Sequence, residues 1–326
     1  MQSVLDIKNL TVRFATADGE VAAVSDVSLS VGKGECLGIV GESGSGKSQT
    51  FMAAMGLLAR NGRATGEVMF GYMNLLTAKE QTLNTVRGNK LAMIFQDPMT
   101  SLTPHMKVGR QLTEVLVRHC GLNAAAARTA AIEMLGRVRI PEAARRFDMY
   151  PHELSGGLRQ RVMIAMALLC GPELIIADEP TTALDVTVQA QILALIRSTR
   201  EEFNTSIILI THDLGVVAGL ADRVAVMYAG RIVEIGDVDQ IFNAPRHPYT
   251  KGLLACTPRL DDPATATLAT IPGQPPNLQH LPRGCAYHPR CPYVMDRCRV
   301  ESPKLLPTGA GQNACFLDDL DVRAAS

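Results

Sequence analysis

The residues whose types and spacing most clearly serve chemistry are Gly-Glu-Ser-Gly-Ser-Gly-Lys-Ser at positions 41–48. They fit the phosphate-binding pattern G-x-x-x-x-G-K-[ST] without a gap. The apolar run from Cys36 to Val40 precedes them and predicts a strand. A strand that enters a glycine-rich turn and then a helix points backbone N–H groups and the positive helix end at one spot. A polyphosphate fits there, so the motif predicts nucleotide binding.

Two side chains of this loop carry distinct expected roles. Lys47 would hold the β- and γ-phosphates, and the hydroxyl of Ser48 would coordinate Mg²⁺. A flexible Gly/Ser turn that matches by chance is the alternative, and the strand and helix patterns on either side argue against it. The candidate nucleotide-binding residues of this stretch are Gly41, Ser43, Gly44, Ser45, Gly46, Lys47, Ser48 and Gln49.

A second glycine motif, Ser155-Gly156-Gly157, lies far downstream and precedes a helical run from Val162 to Leu169. Ser155 and Gly157 would open a helix whose N-terminus is another anion site. One nucleotide has only one triphosphate, so two such sites in one chain are most simply explained if they serve different nucleotides. We therefore expect each site to be completed by a second subunit packed head to tail.

An apolar run from Leu174 to Ala177 ends in two adjacent acids, Asp178 and Glu179. Asp178 would belong to the Mg²⁺ coordination shell, and Glu179 would polarise the water that attacks the γ-phosphate. Two acids at this position could also form a solvated strand end. The two anion motifs favour the catalytic interpretation.

Together these motifs, in this order, resemble the nucleotide-binding subunits of ATP-binding cassette (ABC) transporters over about residues 4 to 255. The resemblance implies an α/β fold, a P-loop ATPase with a RecA-like core, an antiparallel β subdomain and an inserted α-helical subdomain. It also implies that ATP and Mg²⁺ are the ligands and that the reaction is ATP hydrolysis.

The resemblance assigns four further residues. Phe14 matches an aromatic residue that stacks on adenine, although it also fits an ordinary strand core position. Gln96 matches the glutamine that approaches Mg²⁺ and the attacking water, and Asp185 matches a residue that faces the partner's phosphate loop. His212 matches the switch histidine that contacts the γ-phosphate, although a lone histidine at a strand end is commonly structural. Glu179, His212 and Gln96 are thus the candidate catalytic residues.

Composition excludes several classes of protein. The chain has 32 basic and 32 acidic residues, so no net charge attracts it to nucleic acid or to an anionic membrane. It contains no tryptophan and few aromatic residues, which argues against a base-stacking surface. Residues 1–30 lack a secretory signal, and no apolar run is long enough to span a bilayer. We therefore expect a cytoplasmic chain without a nucleic-acid partner.

The chain divides into an expected ATPase domain, residues 1–236, and a C-terminal extension, residues 237–326. Within the ATPase domain, residues of about 97–171 show helical patterns, such as Ala124 to Val138, and no convincing strand. They are expected to form the inserted helical subdomain. Of the 18 prolines, 12 lie at or after Pro245, which makes long regular elements in the extension improbable.

Four cysteines cluster in this extension, Cys285, Cys291, Cys298 and Cys315, with the spacing C-x5-C-x6-C-x16-C. Cysteines among prolines and few large apolar residues suggest that a metal or a cluster replaces a hydrophobic core. Disulfides are the competing interpretation, against which a reducing cytoplasm argues. The spacing alone leaves tetrahedral zinc open.

The sequence around the cysteines adds a second resemblance. The segments Ala244–Thr250, Pro275–Leu278 and Arg290–Pro292 resemble the C-terminal extension of the oligopeptide and dipeptide permease subfamily. In that subfamily the four cysteines ligate a [4Fe-4S] cluster. The resemblance implies a peripheral subunit at the cytoplasmic face of the bacterial inner membrane that powers uptake of oligopeptides or dipeptides.

The implied partners are a distinct, homologous second ATPase, two transmembrane permeases and an extracytoplasmic peptide-binding protein. The segment from Asp97 to Val108 is the expected permease contact. Importers for nickel, glutathione or opines share nearly the same ATPase and remain alternatives. A soluble ABC ATPase acting on nucleic acid or the ribosome should carry a second cassette, a coiled-coil arm or a basic patch, and none is visible. A P-loop kinase would explain only residues 41–48.

Overall fold

The computed structural model describes residues 3–182, 184–257 and 270–318. The predicted extension thus includes two stretches, 258–269 and 319–326, that lie outside the described residues. The strands are β1 (Ser3–Thr16), β2 (Gly19–Gly32), β3 (Cys36–Val40), β4 (Gly62–Phe70), β5 (Met73–Asn74), β6 (Leu91–Ile94), β7 (Leu174–Asp178), β8 (Ser206–Ile210), β9 (Arg223–Tyr228), β10 (Arg231–Asp237), β11 (Leu306–Thr308) and β12 (Gly311–Asn313).

The helices alternate with these strands in the first part of the chain and are short near its end. They are α1 (Lys47–Ala54), α2 (Glu80–Val86), α3 (Pro98–Ser101), α4 (Val108–Cys120), α5 (Ala124–Arg137), α6 (Ala143–Phe147), α7 (Gly156–Leu168), α8 (Val186–Phe203), α9 (Leu214–Leu220), α10 (Val238–Asn243), α11 (Pro248–Ala255) and α12 (Asp296–Val300). Short 3-10 helices cover Pro151–Glu153 and His288–Arg290. Within the described ranges, no helix combines the length and the apolar character that crossing a bilayer requires.

The chain forms two compact units. The first takes its described residues from 1–4, 31–36 and 77–210, and the second from 5–30, 37–76 and 211–326.

In the first unit, β6, β7 and β8 pair in parallel. Every residue of these three strands is buried. Their continuous apolar runs are typical of parallel strands that are covered on both faces. Because parallel strands end at the same edge of a sheet, the residues that follow β6 and β7 are brought together there.

The predicted helical insertion corresponds to α3 to α7, which lie between β6 and β7 with no strand among them in the described residues. On α4, Val108, Leu112 and Leu116 recur every fourth residue and are buried. Close packing also needs a small residue, because a Cβ added to Gly109 would lie 2.1 Å from the ring of Phe147. The helix predicted over Ala124 to Val138 is confirmed as α5.

The second unit contains an antiparallel sheet with the strand order β2-β1-β4-β5. In β1, Leu5 and Ile7 are buried and so are Leu10 and Val12, so the alternation slips by one residue between the two pairs; Val4 is buried as well. The slip coincides with a register shift in the pairing of β1 with β4 and with a left-handed backbone at Asn9, φ 51°. A β-bulge at this point keeps both apolar pairs on the buried face.

A second group of strands in this unit joins the ATPase part of the chain to its C-terminal part. β3 runs parallel to β9, β9 pairs antiparallel with β10, and β12 pairs antiparallel with β10 and β11. The pairing of β10 with β12 crosses the predicted boundary at residue 236. The boundary itself stays a prediction, but the two regions share one sheet.

The C-terminal region also has a small aromatic core, which the sequence analysis did not predict. Tyr249 and Tyr287 are buried, and their rings lie 4.5 Å and 5.2 Å, respectively, from the ring of Tyr228 between centroids. The region therefore has an apolar core of its own, because three tyrosines in tilted and edge-on contact exclude water.

Candidate nucleotide site

The phosphate loop has a backbone that only glycine can adopt at two positions. Gly41 has φ 150°, and a Cβ there would lie 2.2 Å from the carbonyl oxygen of Met227. Gly46 has φ 95°, and a Cβ there would lie 2.4 Å from the carbonyl oxygen of Ala23. The loop is therefore shaped by close backbone contacts before any ligand binds.

Lys47 begins α1 and is buried. Its Nζ donates hydrogen bonds to the carbonyl oxygens of Gly41, at 2.7 Å, and Glu42, at 3.0 Å. The ammonium, which can donate three hydrogen bonds, is thus held inside the loop by two of its carbonyl oxygens. Ser45 and Gly46 are buried, Ser48 and Gln49 are half-buried, and Ser43 and Gly44 are exposed.

Phe14 lies near the end of β1, opposite Gly62 of β4. Its ring packs on the backbone of Gly62, because a Cβ on that glycine would lie 2.6 Å from Cε1 of the phenylalanine. The side chain is only half-buried. The ring therefore has an accessible part, and the predicted stacking on adenine stays a prediction.

His212 is exposed and lies between two residues that are held by hydrogen bonds. The N–H of Thr211 donates to the carbonyl oxygen of Ile39 at 3.1 Å. Asp213 caps α9, where its carboxylate accepts from the N–H of Gly215 at 2.9 Å. The histidine is thus presented at the surface by a rigid turn, and its predicted contact with a γ-phosphate stays a prediction.

In the first unit, the predicted water-polarising residue is held by two donors. Nε2 of Gln96 donates to Oε2 of Glu179 at 2.9 Å, and the hydroxyl of Thr182 donates to the same oxygen at 2.8 Å. The ends of β6 and β7 bring these groups together. Thr182 was missed by sequence reasoning, although a hydroxyl three residues after a carboxylate in a turn is a signal that could have identified it.

Glu179 also has an unusual backbone. Its φ of 46° lies in the left-handed region, which costs a residue with a side chain roughly 1–3 kcal/mol. Its N–H donates to the carbonyl oxygen of Ile210 at 2.8 Å, which fixes the strained turn. Asp178, one residue earlier, ends β7 and is buried. Of the two adjacent acids, Asp178 is thus buried, and Glu179 has the strained backbone.

Ser155 is the residue that precedes α7, and it is exposed. Its hydroxyl makes no capping hydrogen bond to the helix. A Cβ added to Gly156 would meet no atom within 4 Å, whereas one added to Gly157 would lie 2.9 Å from Cγ1 of Val188. The first turn of α7 is thus open on the side of Ser155 and Gly156.

Asp185 has a role that sequence reasoning did not assign. Its carboxylate caps α8 by accepting from the N–H of Val188 at 2.9 Å, and the residue is exposed. Capping by aspartate stabilises a helix by typically about 1 kcal/mol. The predicted contact of Asp185 with a partner's phosphate loop stays a prediction.

The four cysteines of the predicted cluster line one cavity of about 10 Å³. Burial raises the pKa of the Cys285 and Cys291 thiols, and it raises the pKa of Cys315 to about 12. All four are free thiols. Yet among residues 3–182, 184–257 and 270–318, no group of three or more histidine, cysteine, aspartate or glutamate side chains is arranged to hold a metal ion. The thiols share a cavity without forming a ligand set.

Comparison with known proteins agrees with the geometry. Residues 24–182 match a family model described as ABC transporter, and residues 233–298 match one described as oligopeptide/dipeptide transporter, C-terminal region. The chain is 57% identical over 313 residues to the oligopeptide transport ATP-binding protein OppD of Salmonella typhimurium, a match that covers 96% of this chain and 93% of that protein. The OppD protein of Bacillus subtilis is 53% identical, with 90% and 82% covered.

The chain belongs to the oligopeptide-transport ATP-binding family of ABC transporters. It is an ABC-type ATPase, and the family resemblance read from its motifs is confirmed.

Solved structures support the same fold. One is a dimeric ATP-binding cassette in a post-hydrolysis state, bound to ADP and phosphate, with a TM-score of 0.65 and 28% identity. That match covers 72% of this chain and 98% of the other. Another is a component of an ABC transporter complex from Clostridium perfringens, with a TM-score of 0.63, 27% identity and coverage of 75% and 92%. The predicted α/β ABC ATPase fold is therefore confirmed, and its sheets mix parallel and antiparallel strands.

Proposed function

We propose that this chain is the ATP-hydrolysing subunit of an ABC importer that takes up oligopeptides or dipeptides across the bacterial inner membrane. The observation that carries the proposal is the 57% identity to an oligopeptide transport ATP-binding protein over 96% of this chain. The rigid phosphate loop and the doubly held Glu179 support the hydrolytic part of the proposal.

At the phosphate loop, Lys47 would exchange its bonds to loop carbonyls for bonds to the β- and γ-phosphates. The loop N–H groups and the N-terminus of α1 would bind the remaining phosphate charge. Phe14 would stack on adenine. Mg²⁺ would be held by Ser48, Asp178 and Gln96, oxygen donors that suit this hard cation, and it would neutralise charge on the phosphates.

The hydrolytic step would then need a positioned water. Glu179 would accept a hydrogen bond from that water and orient it in line with the γ-phosphate. The hydrogen bonds from Gln96 and Thr182 to the carboxylate of Glu179 support this role, because they restrict its rotamer. His212 would donate to the γ-phosphate and hold the reacting geometry.

The second anion motif is proposed to act in a dimer. Ser155, Gly156 and Gly157 would bind the γ-phosphate of ATP held by a second, homologous ATPase, with Asp185 near the partner's loop. The exposed, open first turn of α7 supports this proposal. ATP would close the dimer, and hydrolysis would reopen it.

The membrane partners are proposed to be two permeases, supplied with peptide by an extracytoplasmic binding protein. The segment from Asp97 to Val108 would contact them from the cytoplasmic face. Met99 in this segment is 52% exposed, and Asp97 caps the short helix α3 that presents it. An exposed apolar residue on a capped turn next to Gln96 suits a contact that must sense the nucleotide.

The four cysteines are proposed to hold a [4Fe-4S] cluster with a structural role. Four thiols on one cavity, of which that of Cys298 is buried and the other three are half-buried, are a suitable donor set for iron or zinc, although binding requires them to come closer than they lie here. Protein purified without air should contain about four irons per chain and absorb broadly. Stoichiometric zinc without iron would show a zinc site in place of the cluster. Protein that contains neither iron nor zinc would refute both the cluster and the zinc site.

The proposed function is tested by coexpression with the two permeases and the second ATPase encoded in the same organism. The complex should copurify, and in vesicles it should import a labelled oligopeptide in an ATP-dependent way. Nickel, glutathione and an opine serve as competing cargoes. Import of one of these without peptide would overturn the peptide assignment, and failure to copurify with any membrane protein would favour a soluble ATPase.

A further inference from the structure

A buried arginine, which lies between Cys285 and Cys291, forms hydrogen bonds to the phosphate loop. Nη1 of Arg290 donates to Oε2 of Glu42 at 2.7 Å, and its Nη2 donates to Oε1 at 3.0 Å. This is a bidentate fork, the strongest common geometry for an arginine and a carboxylate. The arginine side chain is only 5% exposed and that of Glu42 is 25% exposed.

The guanidinium is held on its other sides as well. Its Nε donates to the carbonyl oxygen of Pro272 at 2.9 Å, and its Cζ lies 5.9 Å from the ring centre of Tyr228. The hydrogen bonds to Glu42 raise the pKa of Arg290. The arginine is therefore fixed, charged and aimed at one carboxylate.

The backbone of Glu42 is clamped by a second residue of the C-terminal region. The N–H of Glu42 donates to the hydroxyl of Tyr249 at 2.8 Å. Tyr249 is fully buried in α11, whose start is anchored because the N–H groups of Arg246 and His247 donate to the buried carboxylate of Glu234. Side chain and backbone of Glu42 are thus both held by residues more than two hundred positions away.

Glu42 lies in the first turn of the loop that holds Lys47. The carbonyl oxygens of Gly41 and Glu42 accept from the ammonium of Lys47, so this turn determines where the ammonium lies. A carboxylate in a loop that must receive a triphosphate would repel it. Arg290 neutralises that charge in a partly buried place, where solvent screens it little.

We propose that Arg290 is a positioning residue for ATP, which neutralises Glu42 and fixes the first turn of the phosphate loop. The C-terminal segment would thereby set the affinity of the chain for ATP. Because Arg290 directly precedes Cys291, the arrangement of the four cysteines would influence the position of the phosphate loop through the hydrogen bonds from Arg290 to Glu42. The inference rests on the proposed function, in that ATP binds at Lys47.

The test measures the dissociation constant for ATP, and both KM and kcat, in the full-length protein within its complex. Arg290→Gln should raise Kd and KM about tenfold or more, since it leaves a carboxylate without its partner. At saturating ATP, kcat should stay within about threefold of wild type, because Arg290 does not touch the reacting atoms. Arg290→Lys, which keeps the charge but loses the fork, should give an intermediate Kd.

The decisive variant is the double substitution Glu42→Gln with Arg290→Gln. Removal of the uncompensated carboxylate should return Kd to within about threefold of wild type, which a merely structural loss would not do. Arg128→Gln is the matched control, since Arg128 makes the same fork to Asp148 at the surface, where both side chains are about half exposed. It should leave Kd unchanged.

Two results would overturn the inference. One is wild-type affinity in Arg290→Gln, and the other is a double variant that binds ATP as weakly as Arg290→Gln alone. Circular dichroism identifies any variant that fails to fold. If Arg290→Gln does not fold, the dissociation constant of Arg290→Lys for ATP decides, because wild-type affinity in that variant also contradicts a role for the bidentate bond. Lys47→Ala distinguishes a failure of the proposed function from a failure of the inference about Arg290. If it leaves ATP binding intact, the proposed function fails, whereas loss of binding with a normal Arg290→Gln sinks this inference alone.

Discussion

Two helices of this chain begin with a glycine motif, and their N-termini differ in how much of the site the chain itself provides. At α1, the loop is tightly enclosed, with Cβ positions of Gly41 and Gly46 blocked by backbone oxygens and Lys47 buried. At α7, Ser155 is exposed, its hydroxyl makes no cap, and Gly156 faces open space. One N-terminus is enclosed by atoms of the chain itself, and the other is left open.

The difference shows how the same physical device can serve two roles. A helix N-terminus attracts anions wherever it occurs, but selectivity and affinity need surrounding groups that are already in place. The loop before α1 has them in this chain. The turn before α7 is open instead, which suits the proposal that it closes on ATP bound to a second ATPase.

The largest effect on the phosphate loop before α1 is expected from Lys47→Ala. It should weaken ATP binding by about a hundredfold or more, because charge-assisted hydrogen bonds contribute roughly 1.5–3 kcal/mol each. Isothermal titration with ATP and Mg²⁺ measures the effect. Affinity within threefold of wild type would show that the loop is not the nucleotide site.

Breaking the second site should leave binding intact and remove turnover. Ser155→Arg places a long side chain on the open face of α7, so the dimer should fail to close and ATP hydrolysis should fall about a hundredfold. The dissociation constant for ATP should not change. Thr129→Arg, at an exposed position of α5, is the control. Loss of ATP binding in Ser155→Arg would mean that both motifs serve the same nucleotide.

Alanine substitutions at Gly46 and Gly156 compare the two helix N-termini by their effect on the free energy of unfolding. Gly46→Ala should lower the free energy of unfolding by about 2 kcal/mol or more, because the methyl group meets the oxygen of Ala23 and the backbone is left-handed. Gly156→Ala should instead be neutral or stabilise by about 0.5 kcal/mol, as alanine favours the helix. Urea unfolding of the two variants gives the sign, and equal losses would contradict the contrast.

The smallest expected effect concerns Thr182. Thr182→Val keeps the shape but removes the hydroxyl that donates to Glu179, so kcat should fall about three- to tenfold at unchanged KM. Thr129→Val removes an exposed hydroxyl that donates only to a helix carbonyl and should have no effect. An unchanged kcat in Thr182→Val would show that the carboxylate of Glu179 is oriented without this hydroxyl.

Local patterns were sufficient to predict much of this molecule. The glycine spacing of residues 41–48 predicted a loop whose backbone excludes side chains, and the period of Ala124 to Val138 predicted α5 within one residue at its end. The apolar run from Cys36 to Val40 predicted a strand, which is β3. These features depend on residues that are close in sequence, so a single sequence reveals them.

What the sequence did not reveal depends on distant residues or on backbone strain. Arg290 and Glu42 are 248 positions apart, and no periodicity connects them. Glu179 has a left-handed φ, which its residue type does not favour, and its N–H is bonded to Ile210, 31 positions further along the chain. The capping bond of Asp185 to α8 was not predicted either, because an N-cap and an interface residue look the same in sequence, and its partner contact stays a prediction.

The account rests on Glu179 as the residue that positions the attacking water. The most direct measurement is ATP hydrolysis and ATP binding by the assembled complex carrying Glu179→Gln. We predict unchanged affinity for ATP, turnover lowered by about a hundredfold or more, and a closed dimer that persists with ATP. Glu201→Gln, an exposed carboxylate on α8, should hydrolyse ATP normally. Wild-type turnover in Glu179→Gln would contradict the assignment of this site.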